Sequence, residues 1–207
     1  NTELKTVATD SHRMSQKVIT LEKNGDNFDV VIPSRSLREF TSVFSDDIET
    51  VEVFFANNQI LFRSEHISFY TRLLEGNYPD TDRLIPTEFN TEATFNVANL
   101  RFAMERARLL SNATQNGTVK LEFKNGVVSS HVHSPEVGRV NEEIDTSAVS
   151  GEDLSISFNP TYLIEALKAI DSEQVVIRFI SSVRPFTLVP EGNEQGFIQL
   201  ITPVRTN

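Results

Sequence analysis

The sequence contains no cysteine and no tryptophan among its 207 residues. Without cysteine the chain cannot form a disulfide, a thiolate zinc site, an iron–sulfur cluster or a cysteine nucleophile. Its apolar runs all fall short of the roughly 20 residues that a helix needs to cross a bilayer. With 39% hydrophobic and 23% charged residues, the composition is that of a globular protein rather than a disordered one.

The sequence also lacks recognisable catalytic patterns. It has no G-x-G-x-x-G and no Walker-type loop to cradle a phosphate. Asp10, Ser11 and His12 are the residue types of a catalytic triad, but adjacent positions cannot bring three side chains into a relay. Glu142 and Glu143 would point to opposite faces of a strand, so they cannot act as an acid–base pair. We therefore predict a binding or scaffold role, with no catalytic residue and no cofactor.

One histidine pair needs a separate interpretation. His131 and His133 would lie on the same face of a strand, which is compatible with metal binding. No third ligand follows nearby in the sequence, and two outward polar residues on a strand are the simpler interpretation. We predict no metal site.

Three stretches of the chain follow one pattern: the end of an apolar strand, a short turn and then a helix. Ile32, Phe95 and Phe158 stand at these junctions, 63 residues apart in turn. The same two intervals separate Leu37, Leu100 and Leu163. Equal spacing predicts an internal repeat. The alternative is that strand–helix junctions look alike in any α+β protein.

The elements that follow each junction define the repeated unit. Apolar residues at i, i+3, i+4 and i+7 predict helices over 34–44, 97–111 and 160–170. Alternating strands come next, and Asn57-Asn58 and Asn125-Gly126 suit two-residue hairpin turns. The unit is therefore β-α-β-β-β, which predicts an α+β fold of antiparallel sheets, each covered by a helix on one face.

The repeats also predict how the chain divides. Two strands, Leu4–Thr9 and Gln16–Leu21, precede the first full unit and look like the end of a fourth. We interpret 147–153 as a loop between units. Pairing the units two by two predicts an N-terminally truncated domain over residues 1–84 and a complete domain over residues 85–207.

Charge is distributed unevenly along this pattern. The chain has 19 basic and 29 acidic residues, a net charge of −10, which argues against simple adhesion to nucleic acid or anionic membrane. The predicted helices nevertheless carry six basic and three acidic residues, a net charge of +3 that leaves −13 elsewhere. The basic residues are Arg35, Arg38, Arg101, Arg106, Arg108 and Lys168. Either the helices face a polyanion, or they are solvated surfaces with a chance excess of three charges.

Four short stretches resemble one protein family. They are VATDSHRM at 7–14, GNYPD at 76–80, FNPTYL at 158–163 and TPVR at 202–205. This combination is similar to that of bacterial DNA polymerase III beta subunits, the sliding clamps of replication. In that family three similar domains, each of two β-α-β-β-β units, make one protomer, and two protomers form a head-to-tail ring. The resemblance implies that this chain covers most of the middle domain and the whole of the last one.

The resemblance also implies a function. In the family, sheets form the outside of the ring and helices line a hole around duplex DNA, so the six basic helix residues become candidates to face phosphates in a sequence-independent contact. The implied role is a non-catalytic, cytoplasmic processivity factor for DNA replication. Topological retention on DNA would make an acidic total charge no obstacle.

Members of this family carry a peptide-binding groove between the middle and last domains. The DNA polymerase III alpha subunit, the clamp loader, other polymerases and repair proteins insert short linear motifs there. Carried over by position, one wall is Thr9, Ser11, His12, Arg13, Met14, Pro79, Arg83 and Leu84. The other wall is Asn159, Tyr162, Val183, Arg184, Pro185, Leu200, Thr202, Pro203, Val204 and Arg205. Apolar members would form pockets for leucine and phenylalanine anchors, and His12, Arg13 and Arg205 would supply polar contacts.

This chain departs from the family pattern in the groove. It has Ser11 where many relatives have glycine, and Arg184-Pro185 where some have small residues. These differences bear on the shape of the pocket. Two other function classes remain open: an acidic β-rich adaptor that binds peptides without DNA, and an enzyme whose site lies in a missing N-terminal part.

The last domain of one protomer pairs with the first domain of the other in this family. The matching positions here are Leu109, Leu110, Glu136, Glu142 and Glu143. Because the chain has no counterpart of the first domain, we expect the full-length protein to be a homodimer but this fragment not to close a ring.

The first prediction concerns this association state. The 207-residue chain should sediment as a monomer or as a weakly self-associating species at low micromolar concentration, because half of the expected interface is absent. Analytical ultracentrifugation over a concentration series measures this. A stable dimer of ring size at low micromolar concentration would refute it.

Overall fold

The structure is a computed structural model that describes residues 2–22, 25–44, 47–111, 117–134, 138–193 and 196–205. Within these ranges the helices are α1 (Ser34–Val43), α2 (Val97–Ser111) and α3 (Pro160–Lys168). The early strands are β1 (Glu3–Thr9), β2 (Arg13–Thr20), β3 (Glu52–Ala56), β4 (Gln59–Arg63), β5 (Ser68–Arg72) and β6 (Thr91–Asn96). The later strands are β7 (Val119–Lys124), β8 (Val127–Ser134), β9 (Gly138–Ile144), β10 (Ala148–Gly151), β11 (Leu154–Phe158), β12 (Gln174–Phe179), β13 (Phe186–Pro190) and β14 (Phe197–Ile201).

The chain divides into two compact units. The first spans Gly25–Asp80, and the second combines Thr2–Asn24 with Thr81–Asn207. The hairpin β1–β2 therefore belongs to the same unit as the C-terminal half of the chain. Among the described residues, the strand pairs of both units are antiparallel, as the repeat predicts.

The second unit is built from two sheets and two helices. One sheet has the order β1-β2-β14-β13-β12-β6-β10, and the other has the order β11-β7-β8-β9. Helix α2 packs on β8 and β9, α3 packs on β14, and the two helices pack against each other. Five phenylalanines are fully buried in this core: Phe95, Phe123, Phe158, Phe179 and Phe186. Burying each stabilises the unit by about 2–3 kcal/mol before entropy is counted.

The first unit is smaller and has one helix in its described part. Sheet β3-β4-β5 carries α1, and Phe40 of that helix contacts Phe44, Phe62 and Phe69 with ring centroids 4.4, 4.6 and 6.1 Å away. Leu37 is 40% exposed, although its repeat counterparts in the second unit are fully buried. The difference follows from packing, because α2 and α3 cover each other and α1 has no helical neighbour in the described part of its unit.

Local sequence explains where the helices start and stop. The Asn159 side chain accepts a hydrogen bond from the Thr161 N–H at 2.9 Å and caps α3, with Pro160 at the first helical position. Asn96 accepts from the Asn99 N–H at 3.0 Å and does the same for α2. Helix α3 ends at Lys168, two residues before the predicted end, because its last turn tightens to i→i+3 hydrogen bonds.

The two predicted asparagine turns are confirmed. Asn57 has φ = 44° and joins β3 to β4, while Asn125 (φ = 52°) and Gly126 (φ = 79°) join β7 to β8. Both loops have two residues, as their registers require. The left-handed backbone at these positions explains why the sequence places asparagine and glycine there.

Two sequence interpretations are wrong at the level of elements. The segment 147–153, predicted as a loop, contains β10, which pairs with β6 at the edge of the large sheet. In this four-residue strand Val149 packs against the core and the other three residues are exposed, so the sequence shows no alternating pattern that would predict a strand. The strand end predicted at Ile32, before α1, is not formed, and the neighbouring Val31 makes only an isolated bridge to Leu74.

The described ranges contain neither a membrane-spanning helix nor a metal-binding cluster of side chains. No helix there has the length and apolar character to span a membrane. Nor does any group of three or more histidine or acidic side chains in those ranges have a metal-binding arrangement.

The second prediction concerns Gly151, the last residue of β10. Its φ is +100°, and an added Cβ would lie 1.9 Å from the Asn90 carbonyl oxygen. Gly151→Ala should therefore lower the free energy of unfolding by about 3 kcal/mol, since backbone strain and a main-chain clash add. Urea denaturation measures the loss.

Gly192→Ala is the matched control. Gly192 also has a positive φ, +80°, but an added Cβ would meet nothing within 4 Å. It should lose only about 1 kcal/mol from backbone strain. Equal losses at the two glycines would contradict the close approach of β10 to Asn90.

Candidate peptide-binding site

Three chain segments emerge together at one end of the seven-stranded sheet. Phe186 of β13 pairs with Ile201 of β14, and Ile201 pairs with Arg13 of β2. These residues form one row across the sheet, because paired residues lie side by side. Hence the loop 180–185, the tail 202–205 and the turn 10–12, which adjoin this row, lie at the same end. Half of the groove residues expected from the resemblance are on these segments.

The turn 10–12 is organised by Asp10. Its Oδ1 accepts hydrogen bonds from the N–H groups of His12 (2.8 Å) and Arg13 (3.0 Å). The Thr9 hydroxyl donates to the Arg13 carbonyl at 2.9 Å and closes the turn from the other strand. Burial alone would raise the pKa of Asp10, but hydrogen bonds from His12 and from the side chain and N–H of Arg13 outweigh it and lower the pKa.

The C-terminal tail is tied to this turn and to the end of β11, which leads into α3. The N–H and the hydroxyl of Thr202 both donate to the His12 carbonyl, each at 2.9 Å. Two residues on, the Val204 N–H donates to the Ser157 carbonyl at 2.7 Å. Ser157 is near the end of β11, directly before the Asn159 cap of α3. The tail therefore lies between the turn and the first residues of α3.

Aromatic and charged side chains fill this junction. The rings of His12 and Tyr162 stack with centroids 5.7 Å apart and an interplanar angle of 16°. The Arg13 guanidinium carbon lies 4.8 Å from the centre of the Tyr162 ring. Arg13 donates from Nε to Asp10 at 3.1 Å, and its terminal nitrogen is hydrogen-bonded to Glu165. The bond to Glu165 is the main reason that the pKa of Arg13 is raised, and burial opposes it.

The apolar groove candidates differ in burial. Met14 and Leu200 pair in register across β2 and β14 and are only 3% and 4% exposed, so in the expected groove they would form the floor. Val183 and Val204, on the loop and the tail at this end of the sheet, are 53% and 36% exposed and would form its rim. The remaining tail and loop members differ in burial: Pro185 and Pro203 are half-buried, and Arg184 and Arg205 are exposed. Ser11 and Thr9 are exposed in or beside the turn.

Three groove candidates lie close to the boundary predicted between the two domains, residues 1–84 and 85–207. Arg83 and Leu84 lie in a short 3₁₀ turn, Asp82–Leu84, which an ion pair between Lys5 and Asp82 holds next to β1. Leu84 is 50% exposed. Pro79 is exposed and belongs to the first unit. All the groove candidates except Pro79 thus belong to the second unit.

The basic helix candidates are not equally available. Arg35, on α1, pairs with Glu39 at 3.0 Å, and Arg38 is exposed on the same helix. On α2, Arg101 lies 3.9 Å from Glu105, and Arg108 is half-buried. Lys168 is exposed at the end of α3.

Arg106 is engaged by a sheet residue. Its guanidinium is hydrogen-bonded to Glu142 of β9, and this bond raises the pKa of Arg106. The charge of Arg106 is thus partly neutralised, and α2 is fastened to β9.

The interface candidates lie near a sheet edge. β9, which carries Glu142 and Glu143, is the edge strand of its four-stranded sheet. Glu143 is exposed, whereas Glu142 is half-buried against Arg106. Leu109 is 71% exposed, and Leu110 packs against the core. Glu136 lies outside the described residues.

The histidine pair considered in the sequence has local partners. His131 Nε2 lies 2.8 Å from the Ser129 hydroxyl, and Nδ1 lies 2.9 Å from the Asn141 side-chain oxygen. His133 accepts from Arg139 Nε at 3.2 Å. Both rings are therefore part of the polar face of the β7-β8-β9 sheet.

Sequence reasoning missed two members of the site. In the sequence, Asp10 stands out only as a residue type found in catalytic sites. An aspartate side chain often accepts hydrogen bonds from the backbone N–H groups two and three residues later, however, and this is a recognised turn signal. Glu165 stands out only as a helix charge. Its position three residues after Tyr162 places both on one face of α3, which was the available signal.

Two family models match the chain. The family model for the C-terminal domain of the DNA polymerase III beta subunit matches residues 82–205, and the model for its central domain matches residues 1–80. The chain belongs to the DNA polymerase III beta subunit family.

Individual members of the beta subunit family are closely similar over this chain. The beta sliding clamp of Streptococcus pneumoniae TIGR4 is 80% identical over 205 residues, which is 99% of this chain and 54% of that protein. The Lactococcus lactis beta sliding clamp is 56% identical over 207 residues, again covering 99% of this chain and 54% of the relative. The chain therefore spans about half the length of the relatives it matches.

Solved structures of the family superpose on the whole chain. The crystal structure of the Streptococcus pneumoniae DNA polymerase III beta chain gives a TM-score of 0.96 at 80% identity, covering 99% of this chain and 54% of that one. The Bacillus subtilis DNA polymerase sliding clamp gives 0.94 at 38% identity, covering 100% and 55%. The predicted family and α+β clamp fold are thus confirmed.

Proposed function

We propose that this chain is part of a replication sliding clamp that encircles duplex DNA and holds polymerases on it through a peptide groove. In this proposal the protein is a non-catalytic processivity factor of DNA polymerase III and works in the cytoplasm. Relatives named beta sliding clamp, at 80% and 56% identity, support the role. Residues 1–84 and 85–207 would then be its middle and last domains.

One observation carries the groove assignment. The turn 10–12, the tail 202–205 and the loop 180–185 lie at one end of the same sheet, at which the buried Met14 and Leu200 pair in register. A site with an apolar floor, exposed valines on its rim and a few polar groups suits a short peptide with leucine and phenylalanine anchors. We assign the docking motifs of the polymerase alpha subunit, the clamp loader and repair proteins to this groove.

The helices supply the proposed DNA contact. Arg38 and Lys168 are exposed, whereas Arg35, Arg101 and Arg106 have acidic neighbours within their own unit. Partly neutralised cations attract phosphates without holding them, which suits a loose contact that carries no sequence information. Retention on DNA would come from ring closure with a second protomer, in which Leu109 and the β9 edge take part.

The third prediction tests the groove. A fluorescent peptide of the Gln-Leu-x-Leu-Phe type should bind this chain, and Val183→Ser and Arg205→Ala should each weaken binding about 5- to 20-fold, since each removes an exposed contact from the rim or tail. Fluorescence anisotropy titration gives the dissociation constants.

Val127→Ser is the control for this experiment. Val127 is 46% exposed, close to the 53% of Val183, but it follows the β7–β8 turn. Its substitution should leave peptide affinity unchanged. Affinity that is insensitive to Val183 and Arg205, or as sensitive to Val127, would place the peptide elsewhere.

The fourth prediction tests the helices. The double variant Arg38→Glu/Lys168→Glu should weaken binding to duplex DNA about tenfold at about 20 mM salt. It should also reduce the slope of the logarithm of affinity against the logarithm of salt concentration by about one unit, because phosphate contacts release counterions.

The control is Lys120→Glu/Lys124→Glu, which makes the same charge change at exposed positions on β7. Equal losses in both double variants would show a net-charge effect only. If the chain binds the peptide but the helix variant leaves its DNA affinity unchanged, the alternative of a peptide-binding adaptor without DNA contact is favoured instead.

A further inference from the structure

Arg13 joins two parts of the groove that are far apart in sequence. From the β1–β2 hairpin its guanidinium reaches Asp10 in its own turn and Glu165 on α3, 152 residues away. The same guanidinium lies over the Tyr162 ring at 4.8 Å. These contacts all lie within the second unit.

Helical spacing explains how Glu165 reaches this place. Tyr162 and Glu165 are three residues apart on α3, so their side chains are neighbours on one face of the helix. Tyr162 thus provides the ring, and Glu165 binds the Arg13 guanidinium that lies over it. The planar guanidinium has donors in a fixed fork, so two carboxylates that hold it also fix its plane relative to the ring.

The energetics favour a geometric role over a stabilising one. The side chains of Arg13 and Glu165 are 35% and 50% exposed. Ion pairs that are this accessible to water contribute about 0–1 kcal/mol to folding. Their effect on the position of a neighbouring ring does not depend on that small contribution.

The charges of Asp10, Arg13 and Glu165 also favour a geometric role. Two carboxylates surround one guanidinium, and the bond to Glu165 is the main reason that the pKa of Arg13 is raised. The charge of Arg13 is therefore already balanced by two carboxylates, which makes it poorly suited to bind an acidic ligand group. Arg205, exposed at the end of the tail, is better placed for that role.

We propose that Glu165 is a positioning residue of the peptide groove: it holds Arg13 over Tyr162 and so presets the His12–Tyr162 ring pair that a peptide side chain meets. This inference rests on the groove assignment above. A preset ring spares the ligand the cost of ordering it, about 0.5–1.5 kcal/mol for each immobilised side chain.

The test removes the negative charge at nearly constant shape. Glu165→Gln should weaken binding of a Gln-Leu-Ala-Leu-Phe peptide about 3- to 10-fold, with little change in thermal stability. The shortened Glu165→Asp keeps the charge and should recover part of the loss. Glu173→Gln, an exposed glutamate after α3, is the matched control and should bind like the original chain.

A spectroscopic readout reports the ring itself. The chain has three tyrosines, and Tyr162 is the one that lies outside the first unit. With 3-fluorotyrosine incorporated, the ¹⁹F resonance of Tyr162 should shift or broaden in Glu165→Gln, while Tyr70 and Tyr78 stay unchanged. An unmoved Tyr162 resonance would show that Glu165 does not set the position of this ring.

The outcomes separate this inference from the groove assignment. If the unsubstituted chain binds no peptide, the groove assignment fails, and the inference fails with it whatever the resonance does. If the unsubstituted chain binds and Glu165→Gln binds equally well, the inference is overturned while the groove stands. Weakened binding with an unmoved Tyr162 resonance also overturns it, because the loss then has another origin.

Discussion

The backbone pairing of β2 with β14 determines where the side chains of the candidate site lie. Its register sets Met14 against Leu200 and Arg13 against Ile201. A shift by one residue would turn Met14 out of the floor and Arg13 into it, since side chains alternate across a strand. The hydrogen bonds of Thr202 to His12, the closure of the turn by Thr9 and the contact of Arg13 with α3 all presuppose this one alignment.

Charge in this molecule is locally balanced rather than simply acidic. Three cations of the helices, Arg35, Arg101 and Arg106, have the carboxylate neighbours Glu39, Glu105 and Glu142. Pairs of this kind stabilise the fold little when they are exposed, but they lower the attraction of each helix for a polyanion. The proposed sliding contact with DNA would need a surface that attracts phosphate weakly and without sequence preference. The same balance at Arg13 serves the opposite purpose, because it keeps a cation still.

The parts of the fold that depend on short-range signals could be predicted from the sequence. Helices α1, α2 and α3 follow from apolar spacing and from caps such as Asn159, and the asparagine turns follow from their need for positive φ. Strand β10 could not be predicted, because its pairing with β6 rests on main-chain hydrogen bonds and on room for Gly151. Leu37 looked equivalent to Leu100, but its exposure depends on whether a second helix covers it.

The candidate site shows the same limit. Its residues could be named from short motifs that resemble a family, yet the roles within it arise from contacts between distant segments. Glu165 carries no motif, and only the fold brings it to Arg13. The tail motif at 202–205 likewise gave no sign that Thr202 would bond to the turn at His12.

The hairpin β1–β2 has a consequence for biosynthesis. It belongs to the second unit, but 186 residues separate Met14 from its partner Leu200 on β14. At about 5–20 residues per second, β2 leaves the ribosome roughly 10–40 s before that partner exists. Throughout this interval one edge of the hairpin is open to any other strand, including one from a neighbouring nascent chain. Faster translation, or chaperone binding to β2 during this interval, should therefore raise the yield of correctly paired molecules.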